Sequence, residues 1–153
     1  NAIECYTRCL NALDDEQLSS TVSDKTEIRK LVLSNRAQAY IKLKAYKKAY
    51  DDANAACVIE PHHIKSVGRR GTAAYYLGNY KGAKTDFITG LKLEPQNVMF
   101  REYLNKTLER ISKLKSEAYE KLTRRVMFTN LDDMGFDQYA VHVPVVDLHL
   151  NDK

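Results

Sequence analysis

The sequence predicts an all-α fold: a solenoid of antiparallel helix-turn-helix units, then a long C-terminal capping helix and an extended tail. Three observations carry this. Residue types recur in one register thirty-four positions apart: Pro61 and Pro95, Glu60 and Glu94, Ile59 and Leu93, Tyr46 and Tyr80, Ala49 and Ala83, Ala37 and Gly71. That is the length of a two-helix repeat. Apolar residues within each half-period step by three and four, which puts them on one helix face. Turn residues, Pro61, Gly78-Asn79 and Pro95, punctuate these stretches. A unit of this kind cannot bury its apolar face alone, so units stack, and the stack presents a curved surface to other proteins.

Taken in order, Asn1–Leu13 reads as a helix with Ala2, Tyr6, Cys9, Leu10 and Leu13 on one stripe. Asp14–Asp24 is polar and reads as a loop. Lys25–Leu43 is the next helix, with Ile28, Leu31, Leu33, Ala37 and Tyr40 as its apolar face. Tyr46–Ile59 follows, carrying Ala49, Ala53 and Ala56 as small contact residues, and Pro61 stops it. Ile64–Leu77 turns at Gly78 and Asn79 into Lys81–Leu93. The first helix matches the second half of a unit, since Ala2, Tyr6 and Cys9 are spaced like Ala49, Ala53 and Ala56 forty-seven residues later. This implies an insertion of about a third of a repeat in the Asp14–Asp24 region. The opening helix of that first unit is missing, and the start at Asn1 rather than Met reads as a fragment.

After Pro95 the period ends. Asn97 to about Val126 predicts one long helix, with Leu104, Leu108, Ile111, Leu114, Ala118 and Leu122 on one side and charges on the other. One apolar side is what a solenoid end requires. The layout is then repeats over 1–96, a capping helix over 97–126 and a tail over 127–153. The tail mixes aspartates with apolar residues, broken by Gly135 and Pro144, and alternates in part at Val141, Val143 and Val145. It reads as an extended segment that docks on a further partner or a neighbouring domain, with a plain linker as the alternative.

Composition narrows the function. With 44% hydrophobic and 29% charged residues the chain is globular and soluble. No run approaches the ~18 apolar residues that span a bilayer, so no membrane is implied. A net charge of +4, with lysines scattered over helix ends and turns, does not make a nucleic-acid surface. Cys5, Cys9 and Cys57 lack metal-ligand spacing and read as reduced, mostly packed thiols of a cytoplasmic protein. His62 and His63 follow a helix-ending proline and suit turn or cap roles; His142 and His149 have no metal-like spacing. No nucleophile-base pair, carboxylate pair or glycine-rich phosphate loop stands in a supporting context, so neither an enzyme nor a cofactor is expected.

Two stretches carry a resemblance. Leu33-Ser34-Asn35-Arg36-Ala37-Gln38-Ala39-Tyr40, Tyr46-Lys47-Lys48-Ala49 and Ile59-Glu60-Pro61 are followed by Lys65-Ser66-Val67-Gly68-Arg69-Arg70-Gly71, Leu77-Gly78-Asn79-Tyr80, Ala83 and Leu93-Glu94-Pro95. The chain resembles the tetratricopeptide repeat family, within it the chaperone-binding group, from Asn1 to about Ile111. The resemblance implies a non-catalytic adaptor whose groove holds the acidic Glu-Glu-Val-Asp tail of cytosolic heat-shock chaperones in a carboxylate clamp. Asn35 matches the clamp asparagine, and Lys65 and Arg69 match the basic pair. The helix that would carry the first lysine and asparagine is absent. Gln38, Gly68 and Thr72 complete the expected peptide-binding set, the last two as small groove-facing residues.

Spacing supports the same three residues independently. Lys65 and Arg69 are one helical turn apart, and Asn35 precedes Arg69 by one full period, so stacking brings all three to one face. Arg36 and Arg70 read instead as structural or surface charges. Two other functions fit the repeats: a structural scaffold in a larger assembly, such as a ciliary or cytoskeletal complex, and the repeat domain of a larger enzyme such as a phosphatase or peptidyl-prolyl isomerase.

Overall fold

The computed structural model describes residues 1–15 and 21–133, with side chains to 127. Among them are six helices and no strand: α1 (Ala2–Leu13), α2 (Val22–Lys42), α3 (Tyr46–Ile59), α4 (Ile64–Tyr76), α5 (Tyr80–Leu93) and α6 (Val98–Asp133). The chain divides into two units, Asn1–Leu114 and Lys115–Lys153. The first holds α1–α5 and the opening turns of α6.

Local chemistry sets most helix bounds. Asn1 caps α1 through a reciprocal box with Glu4. Thr21 caps α2, its hydroxyl accepting from the Asp24 amide at 3.1 Å. This cap starts α2 at Val22, three residues before the expected Lys25. Asn79 caps α5 by accepting from the Gly82 amide at 3.1 Å, and starts it at Tyr80. The tight α2–α3 and α4–α5 turns each need a left-handed residue one position after the first helix's C-cap. Gly78 supplies it with φ 79°, and Lys44, thirty-four residues earlier, with φ 58°.

Consecutive helices pack in pairs: α1 on α2, α2 on α3, α3 on α4, α4 on α5, with α2 also meeting α4. Two equivalent locks join them. Arg36 forks onto Asp52 with Nε–Oδ2 2.7 Å and Nη2–Oδ1 2.8 Å, and its Nη1 donates to Thr7. Arg70 forks onto Asp86 at 3.0 and 2.7 Å, and its Nη1 donates to Asn54. Each arginine thus ties its own hairpin to the second helix of the unit before. Thr7 and Asn54 are forty-seven apart, which places α1 as the second helix of a unit, in the register read from sequence.

The helix pairs close through small residues. Ala37 and Ala53 are fully buried in one unit. Their equivalents in the next are Gly71 and Phe87, and a Cβ on Gly71 would lie 2.9 Å from the Phe87 ring. One core cluster gathers Leu10, Leu13, Leu33 and Ala56. The other gathers Ala74, Ala83, Phe87 and Phe100, with Tyr75 and Tyr103 beside it.

Several sequence expectations shift. Ile28 and Leu31 are each 44% exposed, while Lys30, Ser34 and Ala37 are buried. The buried face of α2 is Lys30, Leu33, Ser34 and Ala37, so Leu33 and Ala37 of the expected stripe are packed and two polar residues join them. Ala2 and Cys9 are exposed on α1, whose half-buried and buried side is Ile3, Tyr6, Thr7, Leu10 and Leu13. Cys5 and Cys9 are exposed, so only Cys57 is packed. Burial pushes the Cys57 thiol up to about 11, with Arg70 opposing and Asp86 adding. Among the side chains described on α6, Phe100 and Thr107 are buried. Leu108, Leu114 and Leu122 of the expected stripe are 40%, 41% and 60% exposed. The helix runs to Asp133, so the first residues of the expected tail are helical. The alternation at Val141–Val145 lies outside the described residues. No described helix is long and apolar enough to cross a membrane.

Candidate functional site

The register continues into α6 although residue identity stops at Pro95. Ser66 sits thirty-two residues after Ser34 and donates to its hydroxyl at 3.0 Å. Phe100 sits thirty-two residues after Gly68, and its ring fills the place where a Gly68 Cβ would stand, 2.9 Å away. α2, α4 and the start of α6 are therefore three successive first helices, and their inward faces line one groove.

Arg69 is the centre of its polar part. Nη1 donates to Ser34 Oγ at 2.5 Å and to Asn35 Oδ1 at 3.4 Å, while Nε donates to Gln38 Oε1 at 3.3 Å. Behind it, Ser66 is gripped by His63 Nδ1 at 2.6 Å. Burial, then nearby Lys30, lower the His63 pKa below the usual imidazole value, with Glu60 opposing and Arg69 and Lys65 adding. This favours the neutral ring. All the partners of Arg69 are neutral oxygens, and among the described residues no carboxylate pairs with it. Burial consequently lowers its pKa from the ordinary arginine value, which is the mark of a cation short of counter-charge.

Lys65 lies one turn from Arg69 on α4 and is exposed. It enters no ion pair among the described residues. Lys65, Gly68, Arg69, Thr72 and Gln38 all line a cavity of about 520 Å³. Asn35 lies outside that lining but is tied to it through Arg69. So the residues singled out from sequence come together, with one change of role: the space left by Gly68 is taken by Phe100. Ile41, Ile64, Met99 and Tyr103 give the cavity apolar walls, and Glu94 and Asn97 close it from the α5–α6 turn.

Sequence reading assigned no part to Ser34, Ser66, Glu94 or Phe100. The signal was present: Glu94-Pro95-Gln96-Asn97 mirrors Glu60-Pro61-His62-His63, so α6 begins as another first helix. Asn97 marks the same start by accepting from the Phe100 amide at 3.3 Å. What the site can do follows from its groups. A point charge, a partly engaged guanidinium and an amide beside apolar walls suit an anionic, extended ligand. Among the described residues no group of three His, Cys, Asp or Glu side chains is placed to hold a metal.

No protein-family model matches the chain. It is 39% identical over 102 residues to serine/threonine-protein phosphatase T of Aspergillus oryzae, a match of 67% of this chain and 19% of that protein. It is 38% identical over 120 residues to RNA polymerase II-associated protein 3 of Xenopus tropicalis, 78% of this chain and 16% of that protein. The chain thus spans under a fifth of these relatives' length.

Solved domains match far more fully. The second TPR domain of human RPAP3, in complex with the HSP70 peptide SGPTIEEVD, is 37% identical with a TM-score of 0.55, over 69% of this chain and 77% of that one. The first TPR of Spaghetti (RPAP3), bound to the HSP90 peptide SRMEEVD, is 29% identical with a TM-score of 0.59, over 72% and 79%. With its thirty-four-residue register, its stacked hairpins and a 37% identical domain matched over most of that domain's length, the chain belongs to the tetratricopeptide repeat family.

Proposed function

We propose that this chain is a non-catalytic adaptor module that holds the acidic C-terminal Glu-Glu-Val-Asp end of a cytosolic heat-shock chaperone. One observation carries the reading: Lys65 and Arg69 line one groove, Asn35 is tied to it through Arg69, and among the described residues neither cation has a carboxylate partner. A peptide ending in carboxylates supplies the missing counter-charge. Arg69 is already aimed by Ser34 and Gln38, so little further ordering is required on binding. The RPAP3 domains named above, solved with peptides ending in this sequence, support the choice of ligand. The module works where such chaperones reside, in the cytoplasm. The likeness to a phosphatase covers 19% of that enzyme, so it bears on a shared repeat and lends this chain no hydrolytic step.

Calorimetry with a peptide ending in Glu-Glu-Val-Asp tests the proposal. A well-formed hydrogen bond to a charged group contributes about 1.5–3 kcal/mol, so Arg69→Ala weakens binding roughly ten- to a hundredfold. Amidating the peptide terminus removes most of the affinity, and raised salt lowers it. Equal affinity of the wild type and Arg69→Ala, or indifference to amidation, overturns the carboxylate reading and favours a scaffold that grips apolar surface.

A further inference from the structure

Glu94 stands thirty-four residues after Glu60, at the same place in its unit: the C-cap of the second helix, just before a proline. Glu60 has its own cation, because Lys30 reaches its carboxylate from α2. The residue equivalent to Lys30 one period later is Ile64, which carries no charge. Glu94 accepts instead from Asn97 Nδ2 at 2.8 Å. Arg101, the basic residue of the following helical turn, donates to the Pro95 carbonyl at 3.2 Å. No cation pairs with Glu94 among the described residues. Yet Glu94 lines the same cavity as Lys65 and Arg69. The groove therefore carries both signs of charge, and its acidic member lacks the partner that the repeat provides one unit earlier.

We propose that Glu94 is a specificity residue: it receives a basic side chain upstream of the ligand's acidic end, so the groove prefers peptides of that mixed charge over purely acidic or neutral-flanked ones. The proposal rests on the acidic-end reading given above. Its physical basis is complementarity. Lys65 and Arg69 fix the carboxylate end and hence the direction of the chain. An arginine displaced toward the residues before the terminus then meets a carboxylate that Asn97 already orients, and forks onto it. Glu94 is exposed, so the pair is screened and the effect modest. Exposed pairs of this type shift affinity by about two- to fivefold. Discrimination, rather than tight binding, is what such a rim charge supplies.

Calorimetry at low ionic strength, using the 153-residue chain, decides it. The probes are SRMEEVD, which carries an arginine, SAMEEVD, in which alanine replaces it, and SGPTIEEVD, which has no basic residue. The variant is Glu94→Gln, which retains an oxygen for Asn97. The wild type is expected to bind SRMEEVD about two- to fivefold more tightly than SAMEEVD, and Glu94→Gln to bind the two equally with an unchanged melting midpoint. Lys65→Gln is expected to weaken both peptides while preserving their ratio. An arginine preference that survives in Glu94→Gln, or that is absent from the wild type although both peptides bind, overturns the role of Glu94 alone. Failure of all three peptides to bind the wild type overturns the acidic-end reading together with it.

Discussion

The α2–α3 and α4–α5 hairpins are built on one plan, and their differences separate what folds the protein from what equips its groove. Both keep the same lock: Arg36 on Asp52 and Arg70 on Asp86, each arginine sixteen residues before its aspartate. Both put a left-handed residue in the turn, Lys44 in one and Gly78 in the other. The interiors differ by a trade of volume, Ala37 and Ala53 against Gly71 and Phe87. The groove positions differ in chemistry: Asn35 becomes Arg69, Ser34 becomes Gly68, and Lys30 becomes Ile64. Charges that hold hairpins together are matched inside the fold. The charges brought to the groove by Arg69, Lys65 and Glu94 are not, and those are the ones a ligand can use.

The largest test of this contrast removes a lock. Asp86, 5% exposed, leaves Arg70 without its counter-ion when changed to alanine, and a broken buried pair costs about 3 kcal/mol. Urea unfolding of Asp86→Ala and Asp52→Ala should show similar large losses. Arg69→Ala should lose less than about 1 kcal/mol of stability while its peptide binding weakens roughly ten- to a hundredfold. If Arg69→Ala destabilises as much as Asp86→Ala, the division between structural and groove arginines fails.

The volume trade comes next. Gly71→Ala places a Cβ 2.9 Å from the Phe87 ring and 3.0 Å from Asp86 Cβ, an overpacking worth about 2 kcal/mol. In a Phe87→Ala background the same change should cost much less, because that pair then matches Ala37 and Ala53. Thermal melts of the four proteins measure the coupling, and additivity would refute the compensation.

The turns predict a smaller effect of opposite sign. Lys44→Gly relieves a side chain held at φ 58° and should stabilise by about 0.5–1 kcal/mol, while Gly78→Ala should destabilise by a similar amount. The same melts report both.

The smallest effect is on pH dependence. The hydrogen bond from Lys30 holds the Glu60 carboxyl below the usual carboxylate range, against the opposing effect of its desolvation. Its contribution to stability is therefore complete above the unfolded value of about 4.3. It is lost as pH falls through the lower folded value. Glu60→Gln and Lys30→Met should each flatten that part of an acid-unfolding profile, and an unaltered profile would show that the pair adds nothing there.

The hairpins were legible because a repeat states its fold more than once. Tyr46–Ile59 came out as read, since its alanine face and Pro61 mark both ends. The start of α2 was missed although Thr21 and Asp24 have cap spacing, because the polar run around them dominates composition. The extent of α6 was underestimated for the converse reason: nothing between Val126 and Asp133 breaks a helix. Asn35, Lys65 and Arg69 were named from the family resemblance, and register supported them: Asn35 and Arg69 are equivalent positions that stack, and Lys65 is one turn from Arg69. Glu94 was not, since its meaning lies in a partner that is missing one period on.

While the pairing of Arg36 with Asp52 and of Arg70 with Asp86 came from the structure, the sequence by itself determined the period, the helix pairs and the face shared by Lys65 and Arg69. These depend on spacing along the chain, and spacing is what a sequence records. Tertiary structure alone decided that Phe100 occupies the space beside Gly68, that Ser34 and Gln38 aim Arg69, and that Glu94 joins the same cavity as Lys65. Those outcomes depend on how closely α2, α4 and α6 approach. That distance is set by the summed packing of all the hairpins and is written at no single position.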